Sequence, residues 1–381
     1  PMKILYENSL PLAAEYFGSF GEASGYDVGT LTPEQLVDFD VLAVRSTTRV
    51  TPELLNCANR LTLVGTATAG INHLDTRYLD AQGIYWMSAA GCNAQAVAEY
   101  VLSVLCNAHQ KDIIDLKCAR VGIVGAGQVG SALSRLLDTL GINYVLYDPP
   151  LAELGDPRPF TDWQTIMACD VITLHVPFVP EGAYPTDKMI NAEVLAGLSA
   201  KQLLINACRG EVIDEEALKQ RLMAGDAPTV VLDVFANEPG IDEDLLQYLW
   251  LATPHIAGHS LEGKYSGTQM VYEAICELAG QTPEKSLDDF LPERPNLHVD
   301  LELCSDQGDN LAPAIALVLS VYDVKEDNNH FRQGLAGPSS FTAMRKQYRV
   351  RRELAGHKVE CSQQPDSAIA TQLAKLGFNL K

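Results

Sequence analysis

The stretch from Arg120 to Leu140 constrains this chain more than any other, because RVGIVGAGQVG runs an apolar strand straight into a glycine-spaced turn and SALSRLLDTL continues as a helix. Each glycine of the GxGxxG spacing has a task. Gly125 makes the tight turn, Gly127 lets the backbone approach a pyrophosphate, and Gly130 allows the helix to pack closely on the strand. The helix start then turns unpaired N–H groups toward the phosphates. The next strand, NYVLYD, ends at Asp148, where a carboxylate can accept from ribose hydroxyls and would repel a 2′-phosphate. The cofactor expected is therefore NAD rather than NADP. A plainer role for Asp148 is to start the Asp-Pro-Pro turn.

Around this unit the chain alternates short apolar runs with helix-sized segments. KILYE, 40–45, 61–68 and 83–89 predict one parallel α/β unit, and Thr51-Pro52-Glu53 predicts a helix start. Asn93 to Gln110, rich in Ala, Val and Leu, predicts a buried or domain-crossing helix. Strands at 120–124, 143–148, 170–176, 202–208, 229–234 and 250–255 predict a second, doubly wound sheet. Past Gln281 the prolines 283, 292 and 295 read as a linker. The apolar run 310–324 then predicts a buried helix and suggests pairing with a second copy. The cluster Arg345, Lys346, Arg349, Arg351 and Arg352 reads first as a solvated face, and more sharply as a patch that pairs with an acidic neighbour or lies near a substrate phosphate.

With 381 residues, two or three domains are expected. The formal charge of -21 would repel phosphate backbones, so no nucleic-acid role is expected. Nine cysteines without a CxxC pair fit reduced thiols and offer neither a disulfide scaffold nor a metal site. No stretch of about 20 residues is free of charges and breakers, so no membrane span is expected. The N-terminal residues do not read as a secretion signal, and the location expected is cytoplasmic.

Hydride transfer at a carbon bearing a hydroxyl needs a group that exchanges the hydroxyl proton, a cation that holds the acid, and something that tunes the first group. Each has a candidate at a strand end, where open α/β sheets bind ligands. Arg209 follows LLINAC, and its planar fork can grip a carboxylate bidentately. His255 follows Thr253-Pro254. Glu238, before Pro239, can raise the histidine pKa and fix its tautomer if it reaches the ring. Taken singly, each residue could be an ordinary structural or surface group; the order in which they follow a dinucleotide strand is what favours chemistry.

GIVGAGQVG, LINACRGEVIDEEAL, VLDVFANEP and TPHIAG resemble the D-isomer-specific 2-hydroxyacid dehydrogenases over residues 1 to about 285. The resemblance implies catalysis by Arg209, Glu238 and His255, in a cleft between two Rossmann-like parallel-sheet domains, the substrate domain being flavodoxin-like. It implies a substrate domain of 1–94 and 257–285, an NAD-binding domain of 95–256, and an α+β dimerisation domain of 286–381 in a homodimer. It further implies cofactor contacts from Gln128, Val129 and Val176, Ala207 and Cys208 under the nicotinamide, Asp233 near its carboxamide, and Gly258 lining the site.

Substrate contacts are expected from Arg45, Ser46, Thr66 and Ala67, where a cation, hydroxyls and loop amides could surround an anion. The resemblance places His259 at the position of a substrate-contacting tyrosine in the branch acting on 4-phosphoerythronate, on the route to pyridoxal 5′-phosphate, and a histidine there can still donate to phosphate, so His259 is expected as a substrate contact. The long tail, GTATAGINHLD and AGHSLEGK resemble that branch and imply a phosphorylated hydroxy acid as substrate. Two other readings share these motifs: a D-3-phosphoglycerate dehydrogenase, and an NAD-sensing corepressor on the same scaffold.

Overall fold

The N-terminal residues form β1 (Met2–Glu7), β2 (Gly21–Tyr26), β3 (Val41–Val44), β4 (Leu63–Thr66) and β5 (Tyr85–Ser88), all parallel, in the order β2-β1-β3-β4-β5. A computed structural model describes residues 1–305 and 310–381; residues 306–309 of the expected C-terminal domain lie outside the described residues. The chain divides into two units, Pro1–Asn93 with Ser260–Glu293, and Ala94–His259 with Arg294–Lys381.

In the first unit β3 and β4 are buried on both faces, which is why they read as continuous apolar runs rather than alternating ones. Ile4, Val41 and Leu63 pack with Val271 and Ile275 of the helix Leu261–Ala279, while Leu42 and Val64 pack with Leu36 and Leu79. β2 was not evident from its sequence, GEASGY. It lies at the sheet edge with only Tyr26 buried, so it needs few apolar side chains. The helix expected at Thr51 does not form. Thr51 caps one turn through Leu54 N–H to its hydroxyl at 3.2 Å, and the chain then coils in short turns such as Ala58 N–H to the Leu55 carbonyl.

The second unit holds β6 (Arg120–Val124), β7 (Asn143–Tyr147), β8 (Val171–Leu174), β9 (Leu203–Asn206), β10 (Thr229–Leu232) and β11 (Leu251–Ala252), parallel, in the order β11-β10-β9-β8-β6-β7. The helix Ala94–Gln110 is buried along 14 of its 17 residues, because the helix Gln128–Leu140 covers one side and the C-terminal residues Leu317, Val318 and Tyr322 belong to the same core. The run expected as one helix over 310–324 breaks at Tyr322 into Ala312–Val321 and Val324–Ala336, and the Asp323 carboxylate caps the second by accepting from Lys325 N–H at 3.0 Å. Three short parallel strands, β12 (Leu297–Val299), β13 (Lys358–Cys361) and β14 (Asn379–Leu380), complete an α+β segment that groups with the dinucleotide core. No helix among the described residues is long and apolar enough to cross a membrane.

Polar pins fasten this segment to the long helix. Ser103 donates to the Tyr322 carbonyl at 3.0 Å and accepts from Val324 N–H at 2.9 Å, while Glu99 accepts from Leu354 N–H at 2.8 Å. Burial, reinforced by the Glu353 charge, pushes the Glu99 carboxyl up from 4.5 to about 8. A raised folded-state pKa means that the protonated form favours folding: this contribution is complete below the unfolded value and is lost as pH rises through the folded one. Thermal melts between the two values, 4.5 and about 8, should therefore show stability falling toward alkaline pH. Glu99→Gln should flatten that slope; a variant that keeps it would assign the slope to another group.

Candidate active site

At the end of β6 the glycines behave as their spacing requires. Gly125 has φ +95, and a β-carbon there would lie 2.3 Å from the His175 carbonyl oxygen and 3.0 Å from Val176 N. A β-carbon on Gly130 would lie 2.1 Å from the Gly125 carbonyl oxygen. Gly127, in contrast, would meet nothing within 4 Å. It is the N-cap of the helix Gln128–Leu140 and brings no side chain to cap it, so the first-turn N–H groups, with Gln128 and Val129 leading, remain for an anion. That cradle fits a pyrophosphate.

Asp148 fills its plainer role and braces the loop as well: its carboxylate accepts from Leu151 N–H at 3.1 Å and from Ala126 N–H at 2.8 Å. Two acceptor sites of the carboxylate stay open for a ribose. Arg158, which sequence reasoning missed, clamps the same loop. It donates to the Ala126 carbonyl and the Ser131 hydroxyl, each at 2.9 Å, and pairs with Asp156 at 2.7 Å.

The strand ends of the same sheet carry the three expected catalytic residues. Asn206 winds the turn after β9: its amide nitrogen donates to the Arg209 carbonyl at 3.0 Å and its amide oxygen accepts from Cys208 N–H at 3.1 Å. The turn leaves the Arg209 side chain exposed, with one nitrogen donating to the Cys208 carbonyl at 2.8 Å. Gly210 presses on the loop after β10, since a β-carbon would lie 2.0 Å from the Phe235 carbonyl. In that loop Glu238 accepts from Phe235 N–H at 2.9 Å and meets His255 Nδ1 at 2.6 Å. The carboxylate fixes the proton on Nδ1, which leaves Nε2 available to exchange one.

Asp233 was expected beside the carboxamide of the nicotinamide. It is 1% exposed, and its oxygens accept from the Thr253 hydroxyl and from the N–H groups of Ile256 and Ala257 at 2.7, 2.8 and 3.0 Å. Gly258 and His259 follow on the same turn, half-buried, and the His259 ring stands edge-on to Tyr348 at 5.9 Å. Ala207 and Cys208 are half-buried past β9. Burial pushes the Cys208 thiol up to about 11, so it carries no thiolate at neutral pH.

In the first unit, the loop after β3 is organised by a residue that sequence reasoning passed over. Glu7, fully buried at the end of β1, accepts from the hydroxyls of Ser9, Thr47 and Thr48 and from Arg45 N–H. Burial alone would raise its pKa, but these donors hold the carboxyl below the usual range. A lone acid closing an apolar strand was the available signal. Thr47 and Thr48 are thereby spent, while Ser46 stays exposed. Thr66 has no exposed surface, and its hydroxyl bonds Thr68 and His73 at 2.7 and 2.8 Å. The Ala67 amide donates to the Val44 carbonyl at 2.9 Å, and the Ala67 carbonyl packs on Gly267. Beside them stand the Arg45 side chain and Lys264, whose ammonium is held below its usual pKa by burial and then by the Arg45 charge.

Apart from the exposed Lys346, the basic cluster is not a solvated face. Arg351 is 2% exposed, and Arg349 pairs with the buried Asp327 at 3.1 Å, so the reading of an acidic partner holds within the chain.

Residues 92–257 match the D-isomer specific 2-hydroxyacid dehydrogenase NAD binding domain, and residues 290–377 match a domain of unknown function. Over the full length of both chains this protein is 48% identical to an erythronate-4-phosphate dehydrogenase of Pseudoalteromonas atlantica and 44% identical to one of Marinobacter nauticus. The chain belongs to the erythronate-4-phosphate dehydrogenases, within the D-isomer-specific 2-hydroxyacid dehydrogenase family.

Two solved structures share the family fold at lower identity. One is a D-lactate dehydrogenase of Aquifex aeolicus complexed with NAD and lactic acid, at TM-score 0.56 and 23% identity over 73% of this chain and 96% of that one. The other is an NAD-bound 3-phosphoglycerate dehydrogenase of Entamoeba histolytica, at 0.58 and 22% over 76% and 99%. In this family member the raised thiol makes a specific statement about Cys208. Alkylation by iodoacetamide at pH 8, followed by peptide mass mapping, should label the exposed Cys118, whose thiol is itself raised by its hydrogen bond to Asp115, well ahead of Cys208. Rapid labelling of Cys208 with loss of activity would contradict it.

Proposed function

We propose that this chain catalyses NAD-dependent oxidation of 4-phospho-D-erythronate to 2-oxo-3-hydroxy-4-phosphobutanoate. The observation that carries the reading is the 2.6 Å pair of Glu238 and His255, built on the same sheet as the glycine cradle. His255 Nε2 takes the proton of the C2 hydroxyl, and the Glu238 carboxylate stabilises the imidazolium that results. Arg209, exposed and planar, holds the substrate carboxylate and polarises the C2 oxygen as it becomes a carbonyl. The glycine turn and Asp148 would hold NAD, whose nicotinamide would supply the two-electron acceptor for the hydride from C2 as the C2 oxygen loses its proton.

The cofactor residues are Gly125, Gly127, Gln128, Val129, Gly130, Asp148, Val176, Ala207, Cys208 and Gly258, with Asp233 acting through the turn that it braces. Arg45 and Ser46 bind the phosphate, joined by Lys264 from their own unit. Thr66 and Ala67 shape the neighbouring loop after β4, and His259 donates to substrate. The C-terminal segment pairs two copies of the chain, a reading supported by its exposed apolar side chains Leu303 and Val350.

The test is NADH formation, followed by absorbance, with 4-phosphoerythronate, 3-phosphoglycerate and unphosphorylated erythronate as substrates. Wild type should prefer 4-phosphoerythronate. His255→Ala should lose about 100-fold or more in turnover while still binding NADH. Preference for 3-phosphoglycerate would replace the substrate assignment, and NADH binding without turnover of any hydroxy acid would overturn the enzymatic one.

A further inference from the structure

The turn that carries His255 is gripped along both of its peptide edges. Its N–H groups are taken by Asp233: that of His255 by the Asp233 backbone carbonyl at 2.7 Å, and those of Ile256 and Ala257 by the carboxylate. Its carbonyls are taken by two arginines of the C-terminal segment. Arg345 Nε donates to the His255 carbonyl at 3.2 Å, and Arg351 donates to the Ala257 carbonyl at 2.9 Å, with a longer contact of 3.4 Å to that of Ile256. Arg351 also donates to the Ala96 carbonyl at 2.5 Å and lies over the Tyr322 ring at 3.8 Å, which ties it to the long helix and to the C-terminal core at once.

The backbone of His255 makes such a grip necessary. Its φ is +57, a left-handed conformation that a residue with a β-carbon adopts only when its surroundings over-determine it. Nothing in the imidazole's own contact with Glu238 sets that angle. The peptide bonds on either side of the histidine do, and the following carbonyl is the one that Arg345 holds.

We propose that Arg345 is a positioning residue for the acid/base histidine. By holding the His255 carbonyl it fixes the left-handed backbone from which Nδ1 meets Glu238 and Nε2 is presented to substrate. Arg351 is the buried anchor of the same grip. Lys346, adjacent in sequence and exposed, takes no part. The inference rests on the assignment of His255 as the acid/base and deepens it: the basic cluster of the tail serves the chemistry by acting on its backbone.

The full-length enzyme with NAD tests this through Arg345→Met, Arg345→Lys and Lys346→Ala. Arg345→Met keeps the stem and removes the donor, and should lower kcat about 10- to 100-fold, as small misplacements of a reacting group do. KM for the hydroxy acid and for NAD should stay within about threefold, since no substrate contact is removed. Arg345→Lys should recover most of the rate, and Lys346→Ala should match wild type.

A second readout needs no turnover: the hydrogen-bonded Nδ1 proton of His255, observed by NMR and assigned by its absence in His255→Ala. It should be lost or shifted in Arg345→Met and restored in Arg345→Lys. Should Arg345→Met fold poorly, Arg345→Leu, which likewise carries no donor, should give the same loss of signal. An unchanged kcat or an unmoved Nδ1 proton in a folded variant overturns the proposal. So does a raised KM for the hydroxy acid with kcat intact, which would make Arg345 a substrate contact. If wild type turned over no hydroxy acid while its Nδ1 proton still answered to Arg345, the functional reading would fail and the positioning role would stand.

Discussion

One buried carboxylate underlies the organisation of this protein. Asp233 closes the strand that leads into the Glu238 loop, and it also collects the peptide N–H groups of the turn that bears His255. Burial raises its pKa, and three donors to its oxygens compensate for the loss of solvent. The chain of bonds runs further back, because Tyr100 of the long helix reaches the Thr253 hydroxyl at 2.6 Å and that hydroxyl donates to Asp233. A single acid therefore relates the base, its partner and the scaffold helix to one another. Removing it would leave buried donors unmatched on three sides, each costing about 1–3 kcal/mol.

The two halves of the chemistry share a sheet for a related reason. All six strands of the second unit run parallel, so their carboxyl ends lie along one edge. The Asn206-wound turn after β9 and the loop after β10 are neighbours there, and the glycine turn after β6 lies one strand away, beyond β8. Side chains that sit far apart in sequence meet because the strand order places their loops side by side.

How much of this could be read beforehand depended on whether a residue's task was local. The glycine turn was legible because conformation and close approach dictate its residues. Arg209, Glu238 and His255 were legible because each stands at a strand end, and the structure joins two of them directly. What escaped notice was governed by partners remote in sequence. Glu7 is an unremarkable acid until Thr47 and Thr48 fold over it. Thr66 looked available until His73 took its hydroxyl. Arg351 read as one of several surface cations, yet its partners are carbonyls about 95 and 255 residues earlier in the chain. Edge strand β2 and the run of short turns after Thr51 escaped for the opposite reason: their local signals were weak or pointed elsewhere.

Gly210 has a consequence for how such an enzyme can change. The carbonyl of Phe235 occupies the space in which any side chain at 210 would begin, so the guanidinium turn and the carboxylate loop are in effect welded. Neither can drift outward to admit a bulkier acid without dragging the other. Lineages that alter the acid they accept must therefore do so with side chains around this joint, leaving its one hydrogen-sized gap untouched.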